Sequence, residues 1–587
     1  MTKKKKILIA SGAVVGVLGG LYIGTSVYFM NHFFPGSKIN DVKVAGNSIE
    51  EAQKKVDETL CEYVLTIVER DGTTDTISAK DIDLAIEWKG QTAEFIKGQN
   101  GFTWVEKLFK PKKYSLEMDL TYDEEKLNQK INGLSCMEEE KQIQPINATI
   151  SAYDASNGFS LVPSVKGTAI NKEVLDATVK EYLLEMKSEL VLEDALCYNQ
   201  PEITDDNAPL LEAIEALNKY RATVLTYKVG SSTQVLDAST FASWFTFVFE
   251  EREENKQIAV ADAAASVDWL KANETFKVDI DDTALTNYVK SLESTYNTAY
   301  KSKKLKTSYG SEVTISSGHY GWKINRGTEK QAIKDNIFAG EPITRDLNYS
   351  QKAHSHEGND YGNSYVEINL TAQHLFLYVD GKLVLESDFV SGKLSAGWDS
   401  PTGAYPLTYK ERNATLRGDN YATPVDYWMP FAGNVGMHDA TWRSDFGGTI
   451  YKRNGSHGCI NLPHSAAQKI FQNIDTGFPV LCYKLPGTES QKGVAQDAAY
   501  KVIDAIKAIG TVTLEKEAKI VDARNKYNAL SETGKKYVTN YSTLTNAEAT
   551  LKSLKETQKP VEPQTPSTET PSTQTPTTET PATQPTA

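Results

Sequence analysis

The stretch YVEINLTAQHLFLYVDGKLVLESDFVSGK, Tyr365–Lys393, alternates apolar with polar side chains and reverses at Asp380-Gly381. Alternation with period two puts one set of side chains on a buried face, and Asp-Gly supplies the positive-φ residues of a tight hairpin turn. The stretch therefore reads as paired strands, and the reading extends outward from it. TGAYPLTYK (Thr402–Lys410), GTIYKR (Gly448–Arg453) and FPVLCYK (Phe478–Lys484) are further short strands by composition, with one helix near Ser465–Asn473. Residues 364–484 are expected to form a mostly β domain.

The chain, at 587 residues, is too long for one core, and its 40% hydrophobic and 10% aromatic content is that of packed domains. Upstream, GFSLVPSVKGTAINKEVLDATVKEYL (Gly158–Leu183) answers SEVTISSGHYGWKINRGTEKQAIKDNI (Ser311–Ile337), with Gly167, Ile170, Asn171 and Lys172 matching Gly321, Ile324, Asn325 and Arg326. LTYDEEKLNQKI (Leu120–Ile131) likewise answers VDIDDTALTNYV (Val278–Val289). Two copies of one α+β unit follow, expected at 36–201 and 205–346, each running helix, strand, glycine turn, helix. The polar segment 347–363, with HSHEGNDYGNS (His354–Ser364) at its end, reads as a linker. Residues 494–557 carry helical periodicity broken at Gly510 and at SETG, and read as a small helical module serving as a spacer.

The two ends differ from the rest. Residues 1–6 are a basic stub, and Ile7–Met30 carries no charge and is long enough to cross a hydrocarbon layer of about 30 Å as one helix. Lys3–Lys6 then stay cytoplasmic and everything after Phe34 lies outside, in a single-pass membrane protein. A cleaved signal peptide would have a shorter apolar run and a small-x-small cleavage site. Residues 558–587, rich in Thr, Pro, Glu and Gln, are expected to be disordered. The net charge of −14, from 63 basic and 77 acidic residues, excludes nucleic acid as a partner because no basic cluster exists outside Lys3–Lys6. The five cysteines are odd in number and widely spaced, unlike a disulfide scaffold; a Cys136–Cys197 bridge would stay within one repeat.

One of those cysteines has unusual company, in NGSHGCINLP (Asn454–Pro463). A nucleophilic thiol needs a base, a group that orients the base, and donors for the oxyanion formed on attack. Nearby imidazolium charge would lower the thiol pKa. His457 lies two residues before Cys459 and can flank it, while His438, in GMHDATW, approaches from a separate segment and is the expected base. Asp439 can orient that ring through its carboxylate or its main-chain carbonyl, Ser456 can hydrogen-bond nearby, and the amides of Gly458 and Cys459 are expected oxyanion donors. Trp428, Trp442 and Arg443 either cradle a peptide carboxylate or pack as core. Cys482 reads as core, His374 as strand surface, and His354 and His356 as linker.

His438, seventeen intervening residues, and then Ser456-His457-Gly458-Cys459-Ile460-Asn461 resemble the active-site signature of the L,D-transpeptidase (YkuD-type) catalytic domain, and SPTGAYPL (Ser400–Leu407) and LTAQHLFLYVDGK (Leu370–Lys382) match it too. The two upstream copies resemble the peptidoglycan-binding domains that precede such domains in wall-modifying enzymes of Gram-positive bacteria. The resemblance implies a β-sandwich-like fold and a two-step reaction without cofactor or metal. Cys459 would attack the carbonyl of the third residue of a tetrapeptide stem, release D-alanine and hold the peptide as a thioester; an amine from an acceptor stem would then form the cross-link. His438 would shuttle the thiol proton, His457 and Ser456 would line the pocket, Asn461 would brace the loop, and carbapenems would acylate the thiol.

Three other readings stand beside this one. Water instead of an amine would make the same site an L,D-carboxypeptidase, and a lectin-like module would bind wall without chemistry. A zinc site of His438, His457, Cys459 and His464 fits poorly, because structural zinc draws on closely spaced ligand pairs.

Overall fold

The computed structural model describes residues 3–254, 256–418 and 421–558, so the expected disordered tail falls outside the described residues except for its first position. The chain divides into two units, the first of Met1–Thr226, Val235–Leu285 and Ala332–Ile343, the second of Tyr227–Gln234, Thr286–Gln331 and Thr344–Ala587.

The first unit begins with α1 (Lys3–Tyr28), a helix long and apolar enough to cross a membrane or to act as a signal sequence. A short helix, α2 (Trp104–Phe109), precedes α3 (Glu124–Asn132) and α4 (Lys172–Leu184) of the first copy. Their counterparts in the second copy are α5 (Asp282–Tyr296) and α6 (Arg326–Ala339). Equivalent positions do equivalent work. The Asp123 carboxylate accepts from the Lys126 amide at 3.0 Å to cap α3, and that of Asp281 accepts from the Thr283 amide at 2.7 Å to start α5. Asn171 and Asn325 cap α4 and α6 through the amides of Val174 at 3.3 Å and Thr328 at 3.2 Å, each following a buried isoleucine, Ile170 or Ile324.

Within residues 364–484 of the second unit the strands are β1 (Tyr365–Asn369), β2 (His374–Val379), β3 (Lys382–Asp388), β4 (Gly403–Pro406), β5 (Glu411–Gly418), β6 (Tyr421–Ala432), β7 (Val435–Asp439), β8 (Ile460–Leu462) and β9 (Pro479–Tyr483). One sheet has the order β3-β2-β1-β9-β4 and the other β5-β6-β7-β8. Asp380 at φ 49° and Gly381 at φ 75° close the β2–β3 hairpin with both central residues left-handed, as the Asp-Gly pair requires. Val366, Ile368, Leu375 and Leu377 from one sheet share a core with Met429, Phe431, Met437 and Ile460 from the other. The helix α8 (His464–Asn473) adds Ala467 and Ile470 to it.

Two expectations are corrected. GTIYKR is not a strand: Ile450–Asn454 forms a helix, α7, which presents Lys452 and Arg453 to acidic partners on a later helix, so tertiary context overrides local β propensity. The segment 347–363 is not a free linker. Tyr349–Gln351 pairs with Lys323–Ile324, the His356 ring stacks on Trp322 at 3.7 Å, and Tyr361 is buried. Asp360 forms a 2.6 Å ion pair with Lys303 in which both side chains are 7% exposed. Polar composition alone carries no sign that one of these carboxylates neutralises a buried ammonium. Asp360→Ala, which strands that charge, is expected to cost about 3–5 kcal/mol in denaturant unfolding; a loss under about 1 kcal/mol, the range of an exposed pair, would show that Lys303 is solvated.

The C-terminal helices α9 (Gln491–Lys507), α10 (Glu517–Asn528) and α11 (Tyr541–Thr557) form a cluster around Val502, Ile506, Ile520, Leu544 and Leu551. The Cys136–Cys197 bridge is not formed; both residues are buried thiols, and burial pushes Cys136 up to about 12. Cys482 is buried in β9.

Candidate active site

The segment Asn454–Cys459 joins α7 to β8, and each of its turns has an identifiable cause. Gly458 sits at φ +126°, a conformation that only glycine adopts without strain. The Ser456 hydroxyl accepts from the Gly458 amide at 3.0 Å and donates to the Cys459 carbonyl at 2.6 Å, so one side chain staples the turn beneath the thiol. The Ser456 backbone is held in turn by the Ser391 carbonyl at 3.0 Å and the Lys393 amide at 2.8 Å. Ser400 completes the bracing, donating to the Gly458 carbonyl at 2.6 Å and accepting from the Gly392 amide at 3.0 Å. Gly458 therefore holds the turn, but its amide is already spent on Ser456, which corrects its expected part as an oxyanion donor.

His438 reaches this loop from β7. Strands β7 and β8 are parallel with His438 opposite Asn461, and Cys459 lies in the bend that immediately precedes β8. All three residues line one cavity of about 460 Å³ with Leu416, Thr423, Trp442, Arg443, Ser456 and His457. Nδ1 of His438 is 2.8 Å from the Asp439 carbonyl. A carbonyl only accepts, so Nδ1 carries the proton and Nε2 is left with a free lone pair. Of the two ways Asp439 could orient the ring, the main chain is the one used; its carboxylate accepts from the Tyr427 amide at 2.9 Å.

Burial acts on both members of the pair, against the lowered thiol value that a nearby imidazolium would give. Burial holds His438 below the ordinary histidine value, opposed by its bond to Asp439 and assisted by Arg443. Burial pushes the Cys459 thiol up, opposed only by the Gly436 amide. Both shifts favour the neutral partners. The thiol donates to the Asn434 carbonyl at 3.8 Å, so the β6–β7 turn, through Asn434 and Gly436, touches the sulfur from a side that the motif does not contain.

The other residues separate by environment. Trp428 is 7% exposed, packs with Ala414 and Val425 against Cys459, and forms a wall. Trp442 is 51% exposed, with its ring 5.9 Å from that of His438. The exposed His457 stacks on Trp398 at 4.0 Å. Arg443 donates to the Asn454 carbonyl at 2.9 Å, its Nε is buried without a partner, and it makes no ion pair among the described residues. Asn461 exchanges backbone bonds of 2.9 Å with Val390 and keeps a buried, unpartnered Oδ1. His464 is turned to Asp426 at 2.8 Å. Sequence reasoning did not single out Ser400, Trp398, Asn434 or Gly436; Ser400 stands in the SPTG stretch that it did notice.

The loop is also held from behind. Thr449 and Gln496 are both buried, and the Thr449 amide donates to the Gln496 side chain at 2.7 Å. Lys452 pairs with Asp497 at 2.7 Å, Arg453 with Asp504, and Lys492 donates to the Phe446 carbonyl at 2.7 Å. One face of α9 thus fastens 446–453, the residues that deliver the chain to Cys459, so the helical module does more than space. Asp497→Lys is expected to slow thiol acylation several-fold, and Lys452→Asp in the same chain to recover most of it, as measured by stopped-flow with a carbapenem. A double variant no faster than Asp497→Lys would show that the pair does not position the loop.

Comparison with known proteins gives matches for most of the structured chain. Residues 363–482 match the model described as YkuD, L,D-transpeptidase catalytic domain. Residues 74–191 and 249–345 match one described as "Putative peptidoglycan binding domain". Among solved structures, a cysteine-to-serine mutant of the Enterococcus faecium L,D-transpeptidase is 32% identical over 46% of this chain and 100% of that chain, with a TM-score of 0.34. The catalytic domain of the E. faecium L,D-transpeptidase acylated by ertapenem is 42% identical over 21% and 98%, with a TM-score of 0.20. An L,D-transpeptidase from Mycobacterium tuberculosis is 22% identical over 21% and 57%, with a TM-score of 0.19. No curated protein matches.

Proposed function

Because the chain belongs to the L,D-transpeptidases with a YkuD-type catalytic domain, we propose that it cross-links peptidoglycan through a thioester on Cys459, from a position anchored in the cell membrane by α1. The observation that carries this reading is the convergence of His438, on β7, and Cys459, just before β8, on one cavity behind a loop braced by Ser456 and Ser400.

The donor is the tetrapeptide stem of peptidoglycan. In acylation the Cys459 sulfur bonds to the carbonyl carbon of the third residue as Nε2 of His438 takes the thiol proton. The proton then passes to the departing nitrogen of the terminal D-alanine. In the second half an acceptor amine attacks the thioester, His438 removes its extra proton, and the sulfur leaves with a proton again. Gly458 being engaged, the Cys459 amide and donors from the β6–β7 side remain for the oxyanion. Arg443, a half-buried cation with no carboxylate partner among the described residues, suits an anionic group of the stem. His457 and Trp442 form the rim, and Asn461 steadies the floor.

The E. faecium catalytic domain is acylated by ertapenem, and this chain is proposed to react with carbapenems in the same way. The peptidoglycan-binding repeats give it peptidoglycan as its surroundings as well as its substrate. Incubation of the chain with tetrapeptide stems, read by mass spectrometry, tests the reaction: cross-linked dimers support transpeptidation, tripeptide alone would make it an L,D-carboxypeptidase, and unchanged stems with no carbapenem adduct would leave a wall-binding protein.

A further inference from the structure

An exposed apolar surface in the first unit has no use in the reaction above. In the stretch NGFTWVEKLFKPKK, Asn100–Lys113, Phe102 is 42% exposed, Val105 40%, Leu108 51% and Phe109 82%. Their spacing of three and four residues puts them on one face of α2 and the turn that leads into it. Lys107 is paired with Glu106 at 3.7 Å, but Lys110, Lys112 and Lys113 form a short basic run that the charge reading of the whole chain passed over, so the surface is apolar with a basic border.

The surface is not placed at random. The Tyr22 hydroxyl of α1 donates to the Phe102 carbonyl at 2.6 Å, and the Tyr22 ring lies 6.2 Å from that of Trp104. Phe29 lies 5.9 Å from Trp104, the Gln99 amide donates to the His32 carbonyl at 3.0 Å, and there is no room for a side chain at Gly101 against the Ser26 carbonyl. Starting from Ile7, about 20 residues of helix cross the hydrocarbon, which ends near Ser26. Tyr22 is therefore within the outer half of the bilayer, and what packs on it is at the boundary between acyl chains and headgroups. Trp, Phe and Leu with flanking lysines form the composition that settles there.

We infer that α2, with Phe102, Val105, Leu108 and Phe109, is seated in the extracytoplasmic leaflet beside α1, its lysines on anionic lipid headgroups. This rests on the membrane-anchored reading of α1. Such a seat gives the first unit a second attachment and fixes how it stands on the membrane, where a single helix would leave it free to swivel.

The test uses the full chain in vesicles of phosphatidylcholine and phosphatidylglycerol with brominated acyl chains, which quench tryptophan that enters the acyl region. The expected result is a quenched component that disappears in Trp104→Phe and is reduced in Leu108→Glu/Phe109→Glu, in chains whose circular dichroism and denaturant unfolding match the wild type. Moving the bromine from phosphatidylcholine to phosphatidylglycerol should increase quenching in the wild type and not in Lys110→Gln/Lys112→Gln/Lys113→Gln. Washing at alkaline pH separates the two readings. A chain that stays with the vesicles while Trp104→Phe changes nothing overturns the seat alone; a chain that washes off overturns the anchor and the seat with it.

Discussion

Cys459→Ala is expected to take up no carbapenem and to form no cross-linked dimer, with activity reduced by on the order of 10⁴-fold or more, as when the nucleophile of a nucleophile–base pair is removed. The fold should survive. The sulfur's polar contacts are weak, a 3.8 Å bond to the Asn434 carbonyl and one from the Gly436 amide, and the loop beneath it is held by Ser456 and Ser400 instead. Its unfolding free energy should therefore stay within about 1–2 kcal/mol of the wild type, the range for trimming a small buried group. Intact-protein mass spectrometry with ertapenem reads the outcome. An adduct of equal yield in the variant would remove Cys459 from the mechanism, whatever the rest of the cavity looks like.

His438→Gln is expected to lower the acylation rate by about 10²–10⁴-fold, the range for a lost general base, with less effect on stem binding. The pH dependence distinguishes the two resting states. If imidazolium and thiolate were preformed, the rate would fall as the ring lost its proton. Here burial holds the His438 value below 6.5 and pushes the thiol above its ordinary value. The active form is then the neutral pair, and acylation should rise with pH along a limb centred below 6.5 and then stay level to beyond neutrality. The limb should vanish in His438→Gln. Stability follows the same sign. Since the folded value is depressed, the unfolded chain binds a proton that the folded chain does not as pH falls below 6.5, so stability is full above that point and declines below it. A rate maximum on the acid side, falling through pH 6 to 7, would instead require the ion pair.

The parts of this protein that are readable along the chain are those whose cause is local. The period of two in Tyr365–Lys393 and the Asp380-Gly381 turn produce β1, β2 and β3 because alternation and positive φ act between neighbouring residues. The charge-free run after Lys6 makes a helix of membrane length by composition alone. The motif from His438 to Asn461 places base and thiol in one neighbourhood, since β7 and β8 are short parallel neighbours separated by a single excursion.

What sequence could not supply is decided by burial and by partners far away in the chain. GTIYKR has strand composition, yet it forms α7, whose cations face Asp497 and Asp504, more than forty residues on. Asp360 looks like linker polarity until Lys303 is found buried against it. The Gly458 amide is free to serve an oxyanion in the sequence, and occupied by Ser456 in the fold. Most of all, the charge state of His438 and Cys459 is a property of the cavity that encloses them: residue identity says that a proton can move between them, whereas desolvation decides on which atom it waits.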